Sequence, residues 1–408
     1  MTWTAPSRSD DAHTLYAMAE ADRSTNPKSY SLDPAEVIER AVAAGGSVDE
    51  FVGDWRTGLE HFCGSAAEDG RLNALGARAI GEQAVSKLIA GAKGAARIDE
   101  DPSIATKELL PPIVITGGWR TGTTFLFRLL ATDPRLRALL PVDLTQPWRV
   151  AGLTATEREE LLVKLDETPS PLHFLNPTLR SVHDHGNRLP EECVLAMGVD
   201  LRSWGPSSTV RLESYSTWLA GEDLGPSYRA YRRLLQLLDD GDGRRFVLKA
   251  PAHTPELRTL VDTFPGAVVV HLHRDIVETI ASGASLFAVF RSTFSDEVDP
   301  VDVGRFQTDQ TELWLRRAAA YADDPHSQGA TIIDLAYSDL VASPTTAIAR
   351  IYEAVGIEAP ADPEAFVDAY HRARPRNEHG AHHYAPGDFG LDPGLIRERF
   401  AFADRWQT

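Results

Sequence analysis

Apolar positions recur at helical spacing through residues 35–44, 48–63 and 71–90, so three helices are predicted there. Asp33-Pro34 and Ser47 supply the start signals. Residues 96–110 read as a polar connector that ends in Pro111-Pro112. The texture then changes. Short apolar, β-branched runs at 113–115, 246–248, 267–272 and 331–333 are each followed by a helical pattern, at 122–132, up to about 264, 275–287 and 339–355. Strands that alternate with helices predict an α/β fold with a parallel sheet covered by helices on both faces. Residues 133–244 read as mostly helical and loop-like, the natural place for a helical insertion on the acceptor side. The expected organisation is a helical N-terminal region over 1–110 and an α/β core over 111–408, together one structural domain.

The first strand run opens on the chain's most informative stretch. Gly117, four residues, Gly122 and then two threonines match the G-x-x-x-x-G-K-[ST] frame with one fault. Thr123 stands where the lysine belongs, and Arg120 lies three residues earlier. A strand–glycine turn–helix of this kind aims backbone N–H groups and the positive helix end at an anion. The bland alternative is a tight turn with no ligand. Without the lysine, and without an evident strand-borne aspartate for magnesium, nucleoside triphosphate hydrolysis is disfavoured. An arginine fork still suits a phosphate or a sulfonate.

Bulk properties narrow the class. The 408 residues suffice for a large core, and 43% hydrophobic with 25% charged residues is ordinary for a globular protein. A net charge of −18 argues against a nucleic-acid partner but not against a small anion in a locally basic cleft. No apolar run is long enough for a membrane span. The polar, acidic start lacks a secretory signal's pattern. Cys63 and Cys193 have no C-x-x-C partner and read as buried apolar residues, which fits a cytoplasmic protein.

Arg120-Thr121-Gly122-Thr123-Thr124 resembles the 5′-phosphosulfate loop of sulfotransferases that use 3′-phosphoadenosine 5′-phosphosulfate (PAPS). Val268 to Asp275 is a strand ending in Arg274, with Ser282 eight residues on; in that family an Arg and a Ser at this spacing hold the 3′-phosphate. Lys249-Ala250-Pro251-Ala252-His253 and Tyr337-Ser338-Asp339-Leu340 with Pro344 resemble further family segments. His379-Gly380, Tyr384 and Phe389-Gly390-Leu391 resemble those of a bacterial branch. The resemblance implies a P-loop-like sulfotransferase core that moves a sulfuryl group in line from PAPS to an acceptor hydroxyl and releases PAP. The C-terminal Arg-Lys-Gly loop of the cytosolic steroid and phenol enzymes is not found. Arg374, Arg376 and His379 are the candidates to replace it.

Such chemistry needs cations at the leaving phosphate and a base at the acceptor. Arg120 and Lys249 are assigned to the first task, with help from the loop N–H groups and Thr123. The scheme requires no metal, and the His183-Asp184-His185 pair lacks a third ligand nearby. For the base, His183 comes first, then His253, then Glu191 or Glu192. Pro190-Glu191-Glu192 also reads as an ordinary first helical turn. His271 and His273 share one strand face, so a buried, hydrogen-bonded histidine is expected there. Trp148, Phe174, Trp204, Trp218, Phe287 and Phe290 are either acceptor-pocket walls or core. The rival functions are a nucleotide kinase or triphosphatase with a degenerate loop, and a non-catalytic nucleotide-binding protein.

Overall fold

Ile113, Val114 and Ile115 are all fully buried, as a strand in the middle of a two-sided sheet requires. The computed structural model describes residues 3–168, 170–324, 329–374 and 383–406. In it β1 (Ile113–Gly117), β2 (Leu136–Arg137), β3 (Arg245–Lys249), β4 (Val268–His273) and β5 (Thr331–Ala336) form one sheet in the order β2-β3-β1-β4-β5. Every pairing is parallel. Side chains alternate between the faces. Val114, Phe246, Leu248 and Val269 join one buried cluster with Trp55, Leu88 and Phe287. Ile113, Ile115, Val247, Val268 and Val270 join another with Leu126, Leu129, Ile348 and Ile351. Each such side chain contributes roughly 1.5–3 kcal/mol. The inner strands β1, β3 and β4 are therefore held mainly by this burial from both sides, while the edge strand β5 buries one face.

The first cluster is closed by the N-terminal helices. Pro34–Ala43 is capped by Asp33, whose carboxylate accepts from the Ala35 and Glu36 amides. Trp55–Glu68 starts later than expected: residues 48–50 form a 3₁₀ turn, and Gly53 at φ 68° separates it from the helix. Ala74–Glu100 runs 27 residues, well into the expected connector, because Ile98 anchors its otherwise exposed last turn against Ile104 and Leu237. An earlier helix, Asp10–Thr25, was not foreseen; Tyr16 ties it down by donating to the Thr293 carbonyl at 2.7 Å.

After β4 the helix Ile276–Phe294 extends seven residues beyond the expected end. The long helix Pro300–Asp323 was also not read from the sequence. The expected 339–355 helix is two helices, Tyr337–Ala342 and Pro344–Val355, because Pro344 cannot donate into a continuous helix. The 133–244 stretch holds the helices Ala155–Asp166 and Gly225–Leu238 among short turns. It also contains β2 and leads into β3. β1 has β3 on one side and β4 on the other, so the carboxyl ends of these three strands surround one crevice, the usual ligand position in such sheets.

Candidate active site

β1 ends at Gly117, where φ is 136° and a Cβ would lie 2.3 Å from the Leu272 carbonyl oxygen. Only glycine lets the chain leave the sheet here. Arg120 follows at φ 61°, a left-handed conformation uncommon outside glycine. Gly122, at φ 90°, is the residue before the helix Thr123–Leu130 and offers no side-chain cap. The backbone amides of residues 119–124 donate to no other described residue. This leaves a row of amides at a helix start available to an anion. The Thr121 hydroxyl braces the loop from within by donating to the Gly118 carbonyl at 2.8 Å. Trp119, which the sequence reading passed over, anchors the loop by stacking on Trp314 and meeting Phe287 edge-on.

The lysine missing from the loop arrives from the next strand. Lys249 at the end of β3 is 1% exposed, and its Nζ lies 3.3 Å from Thr124 Oγ1. Glu192 Oε1 holds the same Nζ at 2.5 Å. Thr254 secures the adjoining turn, its Oγ1 accepting from the Gly117 amide at 3.2 Å.

From β4 comes Arg274. Its Nη1 donates to the Arg120 carbonyl at 3.2 Å, and its Nη2 pairs with Glu278 at 2.5 Å. Its guanidinium lies 4.7 Å from the Tyr337 ring centroid. Tyr337 also packs where a Cβ on Gly122 would sit. Ser282 is buried farther along the helix that starts after Arg274. One turn before it is Thr279, whose buried Oγ1 has no hydrogen-bond partner among the described residues. Thr279 presses so closely on the loop that a Cβ on Gly118 would meet its Cγ2 at 2.5 Å. Ser282 and Thr279, three residues apart, share a helix face. An unpaired buried hydroxyl beside free loop amides and a basic residue fits a nucleotide phosphate.

The acid–base candidates separate. His183 Nε2 lies 3.3 Å from Glu191 Oε2. Burial alone would lower the His183 pKa, but the Glu191 charge and hydrogen bond outweigh it and the net shift is upward. Burial would raise the Glu191 pKa, yet His183 and Lys249 hold it down. The Arg120 side chain reaches the same place, Nη1 donating to the Val182 carbonyl at 3.1 Å. The resulting line of groups runs Arg120, His183, Glu191, Glu192, Lys249, Thr124. Glu191 and Glu192 do not start an α-helix; the Glu191 amide donates to the Leu139 carbonyl, and only a 3₁₀ turn follows. That turn is fixed by Lys87 of the N-terminal region, which donates to the carbonyls of Val194, Leu195 and Met197. No motif marks Lys87 in the sequence.

His253 lies elsewhere. It is fully buried, its Nδ1 2.8 Å from Tyr228 Oη and its Nε2 without a partner among the described residues. Burial pushes its pKa down to about 3. Among the described contacts, none joins its ring to Lys249, His183 or the loop. Arg374 faces Asp184 at 3.7 Å. Arg376, His379 and Gly380 lie outside the described residues. Of the aromatic candidates, Trp204 and Phe287 are core, whereas Phe174 is exposed and Phe290 lies 5.7 Å from His183, ring to ring.

Residues 111–361 match the family model described as Sulfotransferase family. The omega-hydroxy-beta-dihydromenaquinone-9 sulfotransferase Stf3, in both Mycobacterium bovis and Mycobacterium tuberculosis, is 24% identical over 276 residues. That match spans 60% of this chain and only 63% of the relative's length. The crystal structure of sulfotransferase STF1 from Mycobacterium tuberculosis superposes with a TM-score of 0.77 at 27% identity, covering 90% of this chain and 98% of that one. Sulfotransferase STF9 from Mycobacterium avium gives 0.78 at 22% identity over 91% and 96%, a likeness of fold.

Proposed function

Because the chain belongs to the sulfotransferase family, we propose that it transfers a sulfuryl group from PAPS to a hydroxyl on a small apolar acceptor. The observation that carries the reading is the meeting of Lys249, Thr124 and the free loop amides at one strand end, faced by Arg274 from the other side. The loop residues Arg120 to Thr124 would hold the 5′-phosphosulfate, and Arg274 with Ser282 and Thr279 the 3′-phosphate. The nucleotide supplies an activated sulfuryl group and a phosphate leaving group. Lys249 and Arg120 meet the charge that develops on the leaving oxygen. Thr123 and the loop amides keep the transferring group in line with the acceptor oxygen. His183 takes the acceptor's proton, and Glu191 orients the ring and stabilises the imidazolium that forms.

The apolar acceptor follows from what surrounds the base. Phe290 lies against His183, and the partly buried Leu172, Leu286 and Trp3 pack around Leu179, Val182 and Val289 beside it. Stf3, by its name, acts on a hydroxylated menaquinone derivative, and an alcohol on an apolar scaffold of that kind suits this wall. A kinase or triphosphatase reading has less support, since Thr123 stands at the frame's lysine position.

Calorimetric titration with PAP in the absence of magnesium tests the nucleotide site. Micromolar binding is expected, falling at least about tenfold in Arg274→Ala through loss of a charge-assisted phosphate contact, with ATP binding weak. A folded protein that binds ATP with magnesium but not PAP would overturn the reading.

A further inference from the structure

The strand that ends in Arg274 carries a second cluster that the transfer chemistry does not use. His271 and His273 are two apart on β4, so their rings share a face. The β4–β5 register sets Asp334 directly opposite His271. We infer that His271, His273 and Asp334 form a binding site for a divalent transition-metal ion of the zinc class.

The geometry is close to what such an ion requires. One ligand atom from each residue lies within 4.8 Å of the others. His271 Nδ1 is 3.4 Å and His273 Nε2 2.6 Å from the same Asp334 Oδ1. Ligands bonded at about 2.0–2.1 Å in a tetrahedron stand roughly 3.3–3.4 Å apart. The His271 contact already has that separation and is long for a hydrogen bond. The His273 contact must open by less than an ångström, and Asp334, with a side chain 54% exposed, is free to swing. His271 Nε2 is buried with no partner among the described residues, so no second hydrogen bond fixes the tautomer of a ring that is 1% exposed. The proton that His273 Nε2 presents to Asp334 passes to Nδ1 of the same ring on binding, so this nitrogen needs only a change of tautomer.

The donor set selects the ion. Two imidazole nitrogens and one carboxylate oxygen suit zinc, cobalt, nickel or copper better than magnesium or calcium. Three protein ligands leave one position for water on the exposed Asp334 side. The other side is closed by Trp406, stacked on His273 at 6° and 5.3 Å and edge-on to His271. An ion here would clip the edge strand β5 to β4, one residue before Arg274.

The test uses the full chain without an affinity tag, stripped with chelator and titrated with zinc by calorimetry and with cobalt by visible absorption. The expected result is one ion per chain, visible d–d bands for cobalt and a raised Tm with zinc. Asp334→Asn and His271→Gln should each weaken binding by at least about tenfold, and His173→Gln, in the separate histidine group near His183, should leave it unchanged. Three results would each overturn the site: no stoichiometric binding by the folded wild-type chain, binding undiminished in folded Asp334→Asn, or binding lost in His173→Gln alone. If a variant folds poorly, the zinc-induced Tm shift of wild type against Asp334→Asn decides.

Discussion

His183 and His253 look alike in the sequence, each beside a polar segment that could serve a hydroxyl acceptor. Their surroundings are opposite. His183 is partly open, faces a carboxylate and has its pKa raised. His253 is sealed, faces a phenol and has its pKa lowered to about 3. A base must reach its substrate and leave behind a cation that the site tolerates. Glu191 provides that tolerance for His183. Nothing in the described surroundings provides it for His253, where an imidazolium would be a buried, unpaired charge.

The largest expected effect is on turnover. His183→Gln should lower kcat by roughly 10²–10⁴-fold, the usual contribution of a general base, with PAP affinity retained by calorimetry. A variant of near wild-type kcat would remove His183 from the role. Next is Glu191→Gln, expected to lower kcat by about 10–100-fold, from loss of a charge-assisted bond of about 1.5–3 kcal/mol. Since the base must be neutral, activity rises with pH through the His183 pKa. Removing the Glu191 charge lowers that pKa, so the acid limb of the rate profile moves to lower pH even as the plateau falls. NMR titration of the His183 ring checks the same shift without an acceptor. A smaller effect is expected at the other histidine. His253→Leu leaves Tyr228 Oη buried without a partner, costing about 1–3 kcal/mol of stability, with kcat within about twofold. A large loss of kcat in a stable His253→Leu protein would reverse the comparison.

The contrast also marks the limit of reading from sequence. β1, β3 and β4 were legible because buried parallel strands are short apolar runs closed by turns, and the edge strand β5, buried on one face only, from its β-branched run at 331–333. β2 was not, since Leu136–Arg137 is two residues long and owes its existence to β3. Helix boundaries failed where tertiary context governs them, at Gly53, at Pro344 and in the last turn before Asp101, which Ile98 anchors. At the candidate site, the loop, Lys249 and Arg274 were named in advance, and His183 and Glu191 as rival bases rather than as a pair. The structure brings them together, and their roles remain for the experiments above. Thr279, Lys87 and Tyr337's place under Arg274 had no local signal, because each matters only through a neighbour more than 60 residues away in the chain. The two histidines could not be separated either: Tyr228 and Glu191 lie nearer in the chain, but only the fold decides which side chain meets which ring.

The last effect leaves turnover aside: it is the pH dependence of stability, where the two histidines should differ in sign. The folded-state pKa of His183 is raised. Its contribution is therefore fully present below the unfolded value of 6.5 and is lost as pH rises through the folded value. Its partner Glu191 is depressed, so that contribution is present above the unfolded 4.5 and lost as pH falls. The pair stabilises most between about 4.5 and 6.5, and Glu191→Gln should differ most from wild type in that window. His253 is depressed from 6.5 to about 3. Its contribution is present above 6.5 and fades as pH falls toward 3, with a limiting slope of about 1.4 kcal/mol per pH unit for one proton. His253→Leu should accordingly be less acid-sensitive than wild type across this range. Denaturant unfolding of wild type and both variants from pH 4 to 8 measures the two slopes. Parallel curves for wild type and His253→Leu would mean that the unfolded and folded chains protonate His253 alike, and the sealed environment would then lose its claim to set the two histidines apart.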